Sequence, residues 1–467
     1  MKKSIFILIG IYFITLISIT AQSKYEDADK AVKKKDYAAA LNIAKEFLDR
    51  DSASVAIKIL IQLREYMSTD KKLYEYFGDA YGKIKVNELA LTNYEQAESI
   101  DSTDVALLTK IADILYKQKR YTEAVNKYLK IVYLDPKNTK AYLETATILY
   151  AAKRYADAAI MYEKYLVLDK SKDAYEKITN AYNTTKIYDK SYTYAVEGLT
   201  KYPDDILLKK NAAIASYNLK KFEDAAKYYN AVPDSLLSIN DLKNAGTSFS
   251  TIKSDSIAIM YFELVIKKDT SANHNQSNLF MDIANSYFRN KENEKAVKYY
   301  AEKIKVDPQY EPAYRYMGFA YFIDGKFNEA RQAFLDAKNL NDTTFTTNYY
   351  LAQCYNRVDS TEKAAEQYLK VLKLAEGKEK QYKDAIFEAS DFLGRRAYQR
   401  KNYSGAITYF SRALQFKPSE WRFMEMLGVC NFMLQNNDEA IKWYKATLKY
   451  NPNSDVAKKG LRRLSAD

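Results

Sequence analysis

The chain of 467 residues is poor in the residues that punctuate or catalyse: 12 glycines, 7 prolines, 2 cysteines and 1 histidine. Glycine and proline together make about 4% of it, against a usual share of about 12%. That scarcity excludes collagen and a Pro/Gly-rich disordered polymer. It also disfavours an all-β fold, which needs turn residues every few positions. Two cysteines cannot build a disulfide framework. One histidine excludes multi-histidine metal sites and leaves little for acid–base chemistry near neutral pH. There is no Gly-rich phosphate loop, no GxSxG, no HExxH and no CxxC. The expectation is a protein with no catalytic residues, no cofactor and no metal. Carboxylates are plentiful, but they fall mostly on helix surfaces or at caps such as Asp135-Pro136 and Asp307-Pro308.

What is abundant is tyrosine, with 44 copies. Hydrophobic residues are 47% and charged residues 28%, so a packed core is within reach. At this length one core normally gives way to several domains or a repeat array. The net charge of +12 is spread along the chain rather than clustered. That fits a mild preference for acidic partners and gives no reason to expect nucleic acid.

The N-terminus reads as an export signal. Lys2 and Lys3 form a basic start, Ile5 to Ile19 an almost purely apolar run, and Thr20-Ala21 a small-residue cleavage site before Gln22. The run is shorter than the roughly 20 residues a spanning helix needs. Residues 1–21 are therefore expected to be a cleaved signal peptide, with an uncleaved anchor as the alternative. The expected location is the periplasm or cell envelope of a bacterium. The Lys/Ile/Asn/Tyr-rich usage suggests an AT-rich genome.

The chain repeats. Ala90, Ala124, Ala158, Ala225, Ala258, Ala296, Ala330, Ala364, Ala406 and Ala440 are spaced by 34, 34, 67, 33, 38, 34, 34, 42 and 34, and Ser191 divides the 67. Four residues after most of them stands an aromatic, such as Tyr94, Tyr128, Phe262, Phe334 or Tyr444. Twelve residues before them stands a small residue, such as Gly78, Ala112, Gly318 or Gly428. Pro136, Pro203, Pro308, Pro418 and Pro452 come twelve residues after. Each position has a mechanical use. The small residue lets a second helix cross a first one closely, the alanine sits at the crossing, the aromatic fills the space beside it, and proline ends the unit. Two antiparallel helices per unit, stacked on the next pair, make an α-solenoid.

This pattern resembles the tetratricopeptide repeat. Its clearest copy runs from Glu311 to Asp342, with Tyr314, Gly318, Ala320, Tyr321, Phe327, Ala330, Phe334 and Ala337. Eleven units begin near Lys71, Val105, Thr139, Lys172, Ile206, Ile239, Ser277, Glu311, Phe345, Phe387 and Trp421, and a divergent pair precedes them. The resemblance implies an all-α, right-handed superhelical solenoid of about twelve helix-turn-helix repeats. The expected organisation is 1–21 signal peptide, 22–70 divergent repeat plus extra helix, 71–276 first half of the array, 277–452 second half, and 453–467 capping helix.

Departures from the pattern are informative. Ser54 to Met67 reads as an unpaired extra helix. Insertions near Asn273 to Gln276 and Glu376 to Lys383 should lengthen loops or helix ends. Ala195 replaces an aromatic in the unit from Lys172, where looser packing is expected. His274 reads as an exposed loop residue. Cys354 and Cys430, two units apart, read as buried small side chains rather than a disulfide.

The resemblance also implies a concave groove lined by first helices that binds peptides or protein segments. In the second half the groove positions are Asn285, Phe288, Arg289, Arg315, Phe319, Phe322, Tyr349, Gln353, Arg357, Arg395 and Tyr398, beside Met281, Asp391, Phe432 and Met433. Amides would bond an extended backbone, arginines would meet carboxylates, and aromatics would anchor apolar groups. The bland reading is that the aromatics pack between units and the arginines are solvated. In the first half the same positions, including Glu75, Asp79, Asp113, Glu176, Asn180 and Lys210, are more acidic and polar. The expected function is a non-enzymatic interaction scaffold in the bacterial envelope that binds protein or peptide segments of envelope machinery. The alternative is a scaffold for acidic polysaccharide. Peripheral membrane association and oligomeric state stay open.

Overall fold

The structure, a computed structural model, describes residues 22–268 and 277–465. The expected signal peptide and His274 lie outside the described residues. Everything regular among the described residues is helical. The chain divides into two compact units, one ending at Pro233 and the other beginning at Asp234.

Each unit is a stack of antiparallel helix pairs. In the first, the first helices are Lys71–Lys83, Val105–Lys117, Thr139–Ala151, Lys172–Thr184 and Ile206–Asn218, each followed by its partner. In the second they are Ile239–Thr251, Ser277–Arg289, Glu311–Ile323, Phe345–Arg357, Lys383–Gln399 and Trp421–Met433. Ten of the eleven begin at the residue the repeat register predicts. The other begins at Lys383 rather than Phe387, because the insertion after Glu376 is shared between a longer loop and a longer helix.

The two kinds of helix start differently. First helices open on side-chain caps: Asp70, Asp104, Asn138, Ser171, Asp205, Ser238 and Thr344 each accept a backbone N–H of the first turn. Most second helices lack such a cap and emerge from a tight turn with one left-handed residue. In the unit from Val105, Lys119 takes φ +62°, its N–H bonds Tyr116 O at 2.9 Å, and Arg120 N–H bonds Leu115 O at 2.9 Å. That pair of bonds satisfies carbonyls that a helix end leaves open.

The crossing residues behave as their spacing suggests. A Cβ built on Gly78, Gly246, Gly318, Gly394 or Gly428 would lie 2.4–2.8 Å from the ring of Tyr94, Phe262, Phe334, Phe410 or Tyr444. Tyr128, Tyr162, Tyr229, Tyr300, Phe334 and Phe410 are fully buried, each worth roughly 2–3 kcal/mol of apolar burial. The capping helix Asp455–Leu464 reuses the device: Gly460 packs on the Cδ2–Cε2 side of the Tyr444 ring and Gly428 on the Cδ1–Cε1 side.

Two expectations need correction. The helix at Ala53–Leu63 is not unpaired. It packs on both Tyr37–Asp49 and Lys71–Lys83, and its Ala56, Ile59, Leu60 and Leu63 share one core with Ala28, Phe47, Leu73 and Phe77. The unit from Lys172 is not loosely filled at Ala195. The fully buried Tyr175 ring fills the space from the first helix, against Gly198, and Ser191 Oγ donates to Thr179 O at 3.0 Å.

Candidate functional site

The first-helix face was the expected binding surface, and the two units furnish it differently. In the first unit it is a ladder of tyrosine, aspartate and lysine. Tyr94 Oη donates to Asp79 Oδ1 at 2.6 Å, and Lys110 from the next unit reaches the same oxygen at 2.5 Å. One repeat on, Tyr128 Oη donates to Asp113 Oδ1 at 2.6 Å and Lys140 bridges to that carboxylate at 2.7 Å. Burial, then the adjacent aspartate, pushes both phenols far above their ordinary pKa, so they stay donors. An open cavity of about 400 Å³ lies here, lined by Lys45, Asp49, Tyr76, Asp79, Lys110, Asp113 and Lys117 among others.

In the second unit most predicted residues are engaged within the chain. Arg289 binds Asp255 through Nε at 3.1 Å and a terminal nitrogen at 2.6 Å, and that nitrogen also reaches Ser250 Oγ at 2.6 Å. Arg315 bonds Glu311 at 2.9 Å and lies over Tyr316. Arg395 bonds Asp391, one turn back. Arg357 is exposed, its guanidinium 5.7 Å from the Phe327 ring. Asn285 accepts from Tyr300 Oη at 2.9 Å. Phe288 is half-buried.

The aromatics of the stripe pack between repeats. Phe319 sits edge-on to Phe334 at 5.1 Å and Tyr350 at 5.0 Å, and Phe322 edge-on to Tyr350 at 4.9 Å. Tyr349 and Gln353 converge on a residue the sequence reading missed, Glu388. Its carboxylate accepts from Tyr349 Oη at 2.5 Å, Gln353 Nε2 at 2.9 Å and Tyr368 Oη at 2.8 Å. Burial first, then the Glu388 charge, drives both phenol pKa values well up.

The predicted stripe opens to solvent at its end. Arg395 and Tyr398 line a cavity of about 480 Å³ with Gln399, Trp421, Arg422, Glu425 and Met426. The Arg422 guanidinium lies 5.5 Å from the Trp421 ring. Two cations, one carboxylate, an indole and a thioether therefore meet in one open depression. Trp421 and Arg422 lie in the first turn of their helix, ahead of the positions that groove spacing selects. The signal for them was the chain's rarest aromatic at a repeat start.

Cys354 and Cys430 are buried and free, and burial pushes their thiols up to about 12 and about 11. Among the described residues no cluster of His, Cys, Asp and Glu could hold a metal ion, and no helix is long and apolar enough to cross a membrane.

Comparison with known proteins agrees with the repeat geometry. One tetratricopeptide repeat family model matches residues 109–174 and 393–455, and a second matches 277–310. The matched stretches are tetratricopeptide repeats, a motif that indicates a protein–protein interaction scaffold. A search of curated proteins finds no match to the chain. Solved structures with similarity include the C-terminal part of a TPR repeat-containing protein from Cytophaga hutchinsonii, at 16% identity over 54% of this chain and 99% of that one, with a TM-score of 0.42. Naa15/Naa10 bound to HypK-THB matches at 11% identity over 96% of each chain, with a TM-score of 0.34. MamA protein matches at 19% identity over 35% of this chain and 91% of that one, with a TM-score of 0.30. At these scores none of the three bears on what this chain binds.

Proposed function

We propose that the protein is an exported, non-enzymatic scaffold of the bacterial cell envelope that holds a segment of a partner protein on the first-helix face of its second unit. The observation that carries this reading is the open depression around Arg395, Tyr398, Trp421, Arg422 and Met426. It lies within the stretch 393–455 that matches the repeat family. Its composition, with aromatic and arginine side chains around a polar rim, is what protein interfaces favour. Arg289 contributes by tying its repeat to the preceding one through Asp255, whereas Arg315 bonds Glu311 on its own helix.

The test is photocrosslinking in intact cells. A photoreactive residue at Tyr398 should trap one defined envelope protein. The same residue at Tyr133, 84% exposed on a second helix, should not. Identical adducts at both positions, or none at Tyr398, would overturn the reading.

A further inference from the structure

We propose that one edge of the first unit, where each first helix turns into its second, docks on an anionic lipid bilayer. All six of these turns in the first unit place a lysine at the left-handed position: Lys35, Lys85, Lys119, Lys153, Lys186 and Lys220, with φ between +59° and +62°. This backbone conformation favours glycine. In the second unit lysine fills three of the six corresponding turns, Lys253, Lys291 and Lys401, and Gly325, Asp359 and Gln435 fill the others, so the turn itself has no need of lysine. The unbroken run of six belongs to the first unit alone.

These lysines are also available. All six are exposed. Among the described residues none of them forms an ion pair, whereas lysines along the helix faces do: Lys110 with Asp79, Lys127 and Lys130 with Glu98, Lys140 with Asp113, Lys190 with Glu163. Acidic residues share the edge, Asp36, Glu88, Asp189 and Glu223 among them, while Glu123 and Asp157 are neutralised by Arg120 and Arg154. The six turns recur once per helix pair along one edge of the unit, so their ammonium groups form a row there.

The apolar residues on that edge select a bilayer over a soluble polyanion. Ile84, Val86, Tyr116, Tyr121 and Ile187 are each 39–45% exposed and stand beside the lysines. A soluble acidic chain would neutralise the charges and leave these groups in water. A bilayer interface takes both, with anionic headgroups around the ammonium groups and aliphatic and tyrosyl side chains at the headgroup level. The opposite edge, where second helices hand over to first ones, also exposes apolar groups such as Tyr133 and Val167, but there they stand among Asp101, Asp104, Asp135, Asp169 and Asp205, so charge tells the two edges apart.

The test uses the full chain with vesicles of phosphatidylcholine containing a minority of phosphatidylglycerol, vesicles of phosphatidylcholine alone, and soluble polyglutamate. Binding is expected to the first only, and to fall with added salt. The variant carrying Lys35→Gly, Lys85→Gly, Lys119→Gly, Lys153→Gly, Lys186→Gly and Lys220→Gly should lose more than about tenfold in vesicle affinity. Its melting curve should stay cooperative, because glycine accepts the same φ. The reporter Tyr121→Trp should shift its emission to the blue on the anionic vesicles alone. The proposal is overturned if the six-glycine variant binds as the native chain does, if the reporter does not shift, or if polyglutamate binds as well as the vesicles.

Discussion

The two units solve one packing problem with different chemistry. Each needs an aromatic ring against a small crossing residue. In the first unit the ring is usually tyrosine, and the residue after the crossing position is polar: Tyr94 with Asp79, Tyr128 with Asp113, Tyr162 with Thr147. In the second, Phe334 meets Phe319, and Phe262 and Phe410 stand at the same fifteen-residue separation from Thr247 and Arg395. At Phe334 the hydroxyl is dropped where the Phe319 ring stands in place of an acceptor. The first unit thus draws much of its inner-face order from charged hydrogen bonds, and the second from stacked rings with one convergent carboxylate.

Four measurements would break or sharpen this contrast. The largest effect is expected from Glu388→Ala, which strips the acceptor from Tyr349, Tyr368 and Gln353 at once. It should cost about 3 kcal/mol in denaturant unfolding followed by tryptophan fluorescence. Next is Phe334→Tyr, which places a hydroxyl against Phe319. A loss of about 1–3 kcal/mol is expected, and no loss would mean the ring pocket of the second unit accepts polarity as the first does. Tyr128→Phe in the first unit removes one bond while Lys140 still holds Asp113, and about 1 kcal/mol should be lost.

The smallest effect per group, and the broadest, is that of acid. Asp101, Asp104 and Glu197 are held below the ordinary carboxylate range by bonds from Lys71, Lys71 and Lys170. Burial raises Glu98 and Glu163, but lysine and tyrosine bonds outweigh it and leave both depressed. A depressed folded-state pKa contributes stability that is present above the unfolded value, about 4, and is lost as pH falls below it. In the second unit the signs are mixed: burial raises Glu311, while bonds from Lys295 and Lys370 hold Glu292 and Glu366 below their ordinary values. Both tryptophans, Trp421 and Trp443, belong to the second unit. On acidification helix loss by circular dichroism should therefore begin at higher pH than the tryptophan change. Coincident transitions would refute the contrast.

The repeat was legible because it is enforced by volume. Ala, a small crossing residue and an aromatic recur at fixed offsets since no other sizes fit, and ten first helices start where those offsets put them. The break at Pro233 was also written in the chain, as a proline eight residues after Ala225 instead of twelve. It cuts the second helix to Phe222–Asn230. What the register could not show was which polar groups meet. Asp255 lies one repeat before Arg289 and Glu388 one repeat after Gln353. Such pairs are close only once adjacent units are stacked, and their rotamers decide the rest. The groove arginines looked free for that reason. The half-buried aromatics of the stripe looked like ligand anchors because the sequence cannot separate a ring facing the next repeat from one facing solvent.

The lysine at each left-handed turn has a consequence for how the molecule comes apart. Trypsin cuts after lysine and arginine, and each of these turns in the first unit offers it an exposed bond where the chain already leaves the helix. A protease must locally unwind only the ends of two helices to reach it. Repeats that fray from an end would then be trimmed in steps of one repeat, about 34 residues, as set by the spacing of Lys85, Lys119 and Lys153. The fragment ladder would record the order in which the units let go.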